Sequence, residues 1–171
     1  MLDIIALSLM CVPEVAPETM AAIVRHESGA SAYAININGA FRLTRQPAQL
    51  AEAVDIAQRL RAKGLNFDAG LGQINSENVA KFGATWAEVF DPCSNLKLAA
   101  RVLKGCYAGA SAPGRDPQRS LAMALSCYNT GNYASGFSNG YVASVYGAAS
   151  HGAALREQRH QNSISDVLRT K

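Results

Sequence analysis

The sequence lacks any apolar run long enough to cross a membrane and any strong excess of one charge. Its apolar opening, Met1 to Cys11, falls short of a bilayer span. It carries Asp3 and has no Lys or Arg in front, so it does not read as a clear export signal. Stable membrane insertion is therefore not expected, and export would need another route or another N-terminus. The formal net charge is only +3, the pI is near 8.7, and the lysines and arginines are scattered. That balance makes no electrostatic case for nucleic acid, whereas a weakly basic surface suits an acidic polymer.

Also missing is the close ligand spacing of a zinc site. The four cysteines, Cys11, Cys93, Cys106 and Cys127, stand far apart, and His26 and His151 belong to no cluster with metal-ligand spacing. No Ser-His-Asp arrangement and no Gly-x-Ser-x-Gly elbow is present, so nucleophilic catalysis of that type is not indicated and neither metal nor cofactor is expected. Internal repeats and low-complexity tracts are absent as well.

What is present is the composition of one globular domain: 171 residues, 49% hydrophobic and 17% charged. After Pro13 and Pro17, the residues Met20, Ile23, Val24 and Glu27 fall at i, i+3, i+4 and i+7, one face of a helix that Gly29 closes. Tyr33 to Ile37 alternates, Asn38-Gly39 is a two-residue turn signal, and Ala40 to Thr44 returns, which predicts a β-hairpin. A second amphipathic helix is expected from Pro47 to about Lys63, with Leu50, Val54, Ala57 and Leu60 inward and Gly64 as the stop.

Later helices are marked by their caps. Thr85 with Glu88 is a capping box, and Asp91-Pro92 and Asp116-Pro117 each pair an N-cap with proline at the first helical position. The turn Ala108 to Gly114 makes the last two an antiparallel pair. The cysteines read either as four buried thiols or as two disulfides in an oxidising compartment. Cys93 and Cys106 lie on one helix about 20 Å apart and should not pair with each other. If the helices are antiparallel, the start of one meets the end of the other, which favours Cys93 with Cys127 and Cys11 with Cys106. A domain over residues 1–150 and a polar tail or frayed helix over 151–171 complete the expected organisation.

Glu27 carries the chemistry. A carboxylate on the same helical stripe as Met20, Ile23 and Val24 is partly desolvated, which favours the protonated state that a general acid needs. Taken alone, it reads more readily as a solvated helix-end glutamate. Three motifs in order change the weighting: His26-Glu27-Ser28-Gly29, then Gly70-Leu71-Gly72-Gln73-Ile74-Asn75, then Tyr128-Asn129-Thr130-Gly131. Together they resemble the soluble lytic transglycosylases, lysozyme-like enzymes. The resemblance is nearest to the specialised members that serve bacterial type IV secretion and conjugation systems, which share the insertion ending in Asn66-Phe67-Asp68. It covers Cys11 to Tyr146.

The resemblance implies a mainly helical, α+β lysozyme-like domain with a small β-hairpin insertion and a substrate cleft. It implies a periplasmic peptidoglycan lyase with Glu27 catalytic, acting on glycan strands beside secretion-system components. The expected substrate-binding set is Ser28, Gly70, Leu71, Gln73, Asn75, Tyr128, Asn129 and Tyr141. Gly70 and Gly72 would let a sugar ring lie close to the loop, and Gln73 and Asn75 would meet sugar hydroxyls and N-acetyl groups. Tyr128 would lie beside Glu27 and orient it or the substrate. Tyr141 lacks the glutamate that often precedes it in the family, since Ser138-Asn139-Gly140 stand there. Two other functions compete: a hydrolytic lysozyme with Asp68 as second carboxylate, and a wall-binding assembly protein without catalysis.

Overall fold

The protein, described by a computed structural model over residues 2–169, is built from nine helices and a three-stranded sheet among those residues. Helix α1 (Ile4–Cys11) is capped by Asp3, whose carboxylate accepts from the Ala6 amide at 3.1 Å. Helix α2 (Pro17–Ser28) starts on its proline and stops at Gly29, which takes the left-handed conformation at φ 60° as its C-cap. Met20, Ile23 and Val24 are completely buried, so the predicted apolar stripe is the core face and carries Glu27 with it.

The sheet corrects the expected hairpin. Strand β1 (Ile35–Ile37) does not pair with residues 40–44; it pairs antiparallel with β2 (Phe67–Ala69), which pairs in turn with β3 (Ile74–Asn75). The hairpin of the fold is thus β2–β3, turned by Gly70 to Gln73. Competition for backbone partners explains the difference. One edge of β1 is taken by β2, and at the other the Gln46 side-chain amide imitates a strand, accepting from the Ile35 amide at 2.8 Å and donating to the Ile35 carbonyl at 3.0 Å. Arg42 ties down the turn itself, donating to the carbonyls of Ile37, Gly39 and Phe41.

Helix α3 (Leu50–Ala62) begins three residues after Pro47 and buries Ala53, Ala57 and Leu60, leaving Leu50 exposed. Short helices α4 (Ser76–Phe82) and α5 (Trp86–Phe90) follow, the latter with the full Thr85–Glu88 capping box. The long pair α6 (Pro92–Ala110) and α7 (Pro117–Thr130) start on Asp91 and Asp116, whose carboxylates accept backbone N–H groups as the caps predicted. Helix α8 (Ser135–Ser138) is one turn. Helix α9 (Tyr141–Arg169) packs on α2 through Tyr141, Val142 and Val145 and continues unbroken through residue 150, with Ala153 to Arg159 exposed. The last two residues of the expected tail lie outside the described residues.

Both disulfides exist, but in the other pairing: Cys11 bonds Cys93 and Cys106 bonds Cys127. The error lay in the register of the helix pair. The connection 111–116 lets α7 begin beyond the end of α6, so Cys127 lies level with Cys106, and Cys93 is about 20 Å further along. Cys93, in the first turn of α6, is met instead by the end of α1. No helix among the described residues is long and apolar enough to cross a membrane.

Candidate active site

Helices α4, α6 and α7 and the sheet enclose one cleft of about 920 Å³. Glu27 enters it from the last turn of α2, Asp68 from β2, and Gln73 and Asn75 from the β2–β3 turn and β3. Tyr128 and Asn129 enter from the end of α7, and Val102, Gly105 and Cys106 from α6.

Glu27 is partly buried and receives one directed hydrogen bond. The Tyr141 hydroxyl donates to its Oε1 at 2.7 Å. Burial pushes the carboxyl upward, the Tyr141 bond opposes that, and the negative charge of Asp68 adds to the rise; the result is about 7. Half-protonated near neutrality, such a group can both give and take a proton. The phenol of Tyr141 is itself pushed upward by burial and by Glu27, so it stays a donor.

Asp68 sits in an amide network. Asn36, Asp68 and Asn75 oppose one another across β1, β2 and β3, and so share one face of the sheet. Asp68 accepts from Asn75 at 2.8 Å and from Asn38 at 3.0 Å. Those bonds favour its charged form while burial disfavours it, with burial the larger effect.

The glycine–glutamine turn is held from inside the protein. Asn95 on α6, 1% exposed, accepts from the Gly72 amide at 2.7 Å and donates to the carbonyls of Val89 and Ala69. On the other side, the Tyr128 hydroxyl donates to the Gly72 carbonyl at 2.6 Å. A Cβ on Gly70 would run into the Asn95 amide and lie 2.5 Å from the Val89 oxygen; one on Gly72 would lie 2.8 Å from the Ala99 Cβ and 2.9 Å from the Tyr128 hydroxyl. The glycines therefore make room for Val89 and Asn95 at Gly70, and for Asn95, Ala99 and Tyr128 at Gly72.

Several expected roles change accordingly. Leu71 is fully buried and Ser28 turns its hydroxyl back to the Val24 carbonyl, so neither lines the cleft. Gln73 lines it, but its amide donates to Ala34 and Gly70 carbonyls and accepts from Asn36, which holds the turn at an uncommon φ of 48°. Asn75 lines it and caps α4. Tyr128 does lie near Glu27, whose charge adds to burial in pushing its phenol upward, but its hydroxyl is used on the turn and the hydrogen bond to Glu27 comes from Tyr141. Asn129 faces the cleft and accepts from Asn139, which in turn accepts from the Tyr141 amide, so the α7 end fixes the start of α9. Asn95 was missed altogether; buried positions in an amphipathic helix read as apolar, and nothing local marks the exception.

Residues 6–148 match the family model for the transglycosylase SLT domain. The chain belongs to this family. It is 46% identical over 156 residues to the type IV secretion system protein virB1 of Brucella suis, a match covering 87% of this chain and 65% of that protein. It is 40% identical over 139 residues to protein virB1 of Agrobacterium fabrum, covering 81% and 56% of the two chains. It thus spans less than two thirds of the length of the curated relatives it matches. No solved structure matches significantly. Glu27 and Tyr128, from two motifs that suggested the SLT family, line the same cleft, and Tyr141 meets it from behind through Glu27.

Proposed function

We propose that this SLT-family chain is a peptidoglycan lytic transglycosylase, and the observation that carries the reading is Glu27: a cleft carboxyl lifted to about 7 and aimed by Tyr141. In the first step protonated Glu27 gives its proton to the oxygen linking C1 of N-acetylmuramic acid to the next sugar. The C1–O bond breaks, and the resulting oxocarbenium-like centre is stabilised by the sugar's own N-acetyl group. In the second step ionised Glu27 takes the proton of the C6 hydroxyl as its oxygen bonds to C1. A 1,6-anhydro end forms, no water is consumed, and Glu27 returns protonated.

The cycle needs one group that changes between acid and base, and a carboxyl titrating near 7 crosses between those states at least cost. The Brucella virB1 relatives carry type IV secretion in their names, which supports a periplasmic role in opening the wall where such an apparatus assembles, with its components as partners. Asp68 favours a second reading: as a carboxylate in the same cleft, it suits a hydrolytic enzyme that places a water.

Mass spectrometry of fragments released from purified peptidoglycan separates these readings. Products lighter by one water than hydrolytic ones, absent with Glu27→Gln, are expected. Free reducing ends would transfer the role to hydrolysis with Asp68, and no release by either form would leave a wall-binding protein.

A further inference from the structure

The cleft carries charges of both signs: Glu27 and Asp68 line it, and so do Lys81 of α4 and Arg101 of α6. Acid and base do not meet. Among the described residues the ion pairs engage Arg45, Arg59, Arg61, Lys104 and Arg156, while Lys81 and Arg101 have no carboxylate partner. Arg101 is nonetheless held in place. Its guanidinium lies 4.0 Å over the ring of Phe82, the α4 residue next to Lys81.

Stacking of that kind occupies the flat face of a guanidinium and leaves its N–H edge free, the geometry that takes a carboxylate through two parallel hydrogen bonds. An exposed lysine on a helix end is ordinarily only solvated. Here it shares a concave surface with a pre-oriented arginine, and among the described residues neither positive charge is in an ion pair.

Sugar hydroxyls and acetamido groups are neutral, and on a stem-bearing strand the lactyl groups are tied up as amides, so only the stems there offer the pair a carboxylate. The peptide stems on the lactyl ethers of muramic acid do carry free carboxylates. We propose that Lys81 and Arg101 form a carboxylate-binding arm of the cleft that takes the peptide stem of the bound strand, so that the protein prefers stem-bearing glycan over stripped glycan. This rests on peptidoglycan being the ligand of the cleft, and it adds which part of the polymer Lys81 and Arg101 recognise.

The test reads binding without turnover, in Glu27→Gln protein, so that a failure of catalysis and a failure of stem recognition are separate results. Calorimetric affinities are compared for soluble glycan oligomers bearing stems and for the same oligomers stripped by an amidase, which keep their sugars and lactyl carboxylates. Lys81→Gln with Arg101→Gln should weaken binding of the stem-bearing oligomers roughly tenfold, with a smaller effect on the stripped ones. Added salt should reduce the difference between the two ligands. Arg101→Lys should recover only part of the loss, because it restores charge but not the fork, and Lys97→Gln on the same helix should change nothing. Equal weakening on both ligands, or no weakening on either, would overturn the assignment.

Discussion

Tyr141 and Glu27, separated by 114 residues in sequence, share a 2.7 Å hydrogen bond in which the phenol donates to the carboxylate. The bond works against the burial that lifts Glu27, because it favours the ionised form. Removing it with Tyr141→Phe should therefore raise the Glu27 pKa further above 7. In a pH–rate profile the alkaline limb, where the acid is lost, should move to higher pH, while the rate at neutrality falls about tenfold as the carboxyl loses its orientation. An unmoved limb would assign Tyr141 to packing alone.

Glu27 costs the fold stability at high pH. Its pKa rises from an ordinary 4.5 to about 7 in the native state, so the native protein binds the proton more tightly than the unfolded chain does. The favourable contribution is complete below about 4.5 and is lost as pH climbs through about 7, a change of roughly 3 kcal/mol. Glu27→Gln, which cannot ionise, should unfold at a higher temperature than the parent above pH 7 and show little of that gain at pH 4. The same variant should lose about 10²- to 10⁴-fold in wall cleavage, the usual worth of a positioned general acid. Thermal melts across pH and a turbidity assay on one preparation test both halves.

Gly70→Ala should be among the most damaging small substitutions. The residue holds φ 78°, and its added methyl would collide with Asn95 and the Val89 carbonyl. The left-handed backbone alone costs roughly 1–2 kcal/mol for a side chain, and the displaced buried hydrogen bonds add about as much. Asn95→Leu should lose comparable stability and detach the turn, lowering activity without touching the cleft surface. Denaturant melts would show it, and a melt unchanged from the parent would remove Asn95 from its anchoring role.

The two disulfides should differ in worth. Cys11–Cys93 closes a separation of 82 residues and Cys106–Cys127 one of 21. On chain-entropy grounds the first contributes roughly 4–5 kcal/mol and the second about 3 kcal/mol. Double Cys→Ala variants should therefore melt in that order, with the Cys11/Cys93 pair the less stable. Because Cys106 and Cys127 line the cleft, the second variant should also lose affinity for glycan.

Local chemistry determined much of this protein before any packing was considered. Helix starts at Thr85, Asp91 and Asp116, the stop at Gly29, and the apolar stripe bearing Glu27 were legible because each is fixed by residues within one turn: a side chain that caps, a proline that suits a free N-terminus, a glycine that takes positive φ. The three motifs likewise showed the family, since their order in the chain needs no coordinates. What tertiary structure alone decided is every choice between equally good partners. Asn38-Gly39 promised a hairpin, but the free edge of β1 went to the Gln46 side chain. The cysteine pairing followed the offset of α7 along α6, which the length of a loop does not specify. Gly70 and Gly72 make room for Asn95 and Tyr128, and it is Tyr141 whose hydroxyl bonds Glu27. Each of these contacts joins segments distant in sequence, where competition for one hydrogen-bonding edge or one unfilled volume is settled only when the whole core closes.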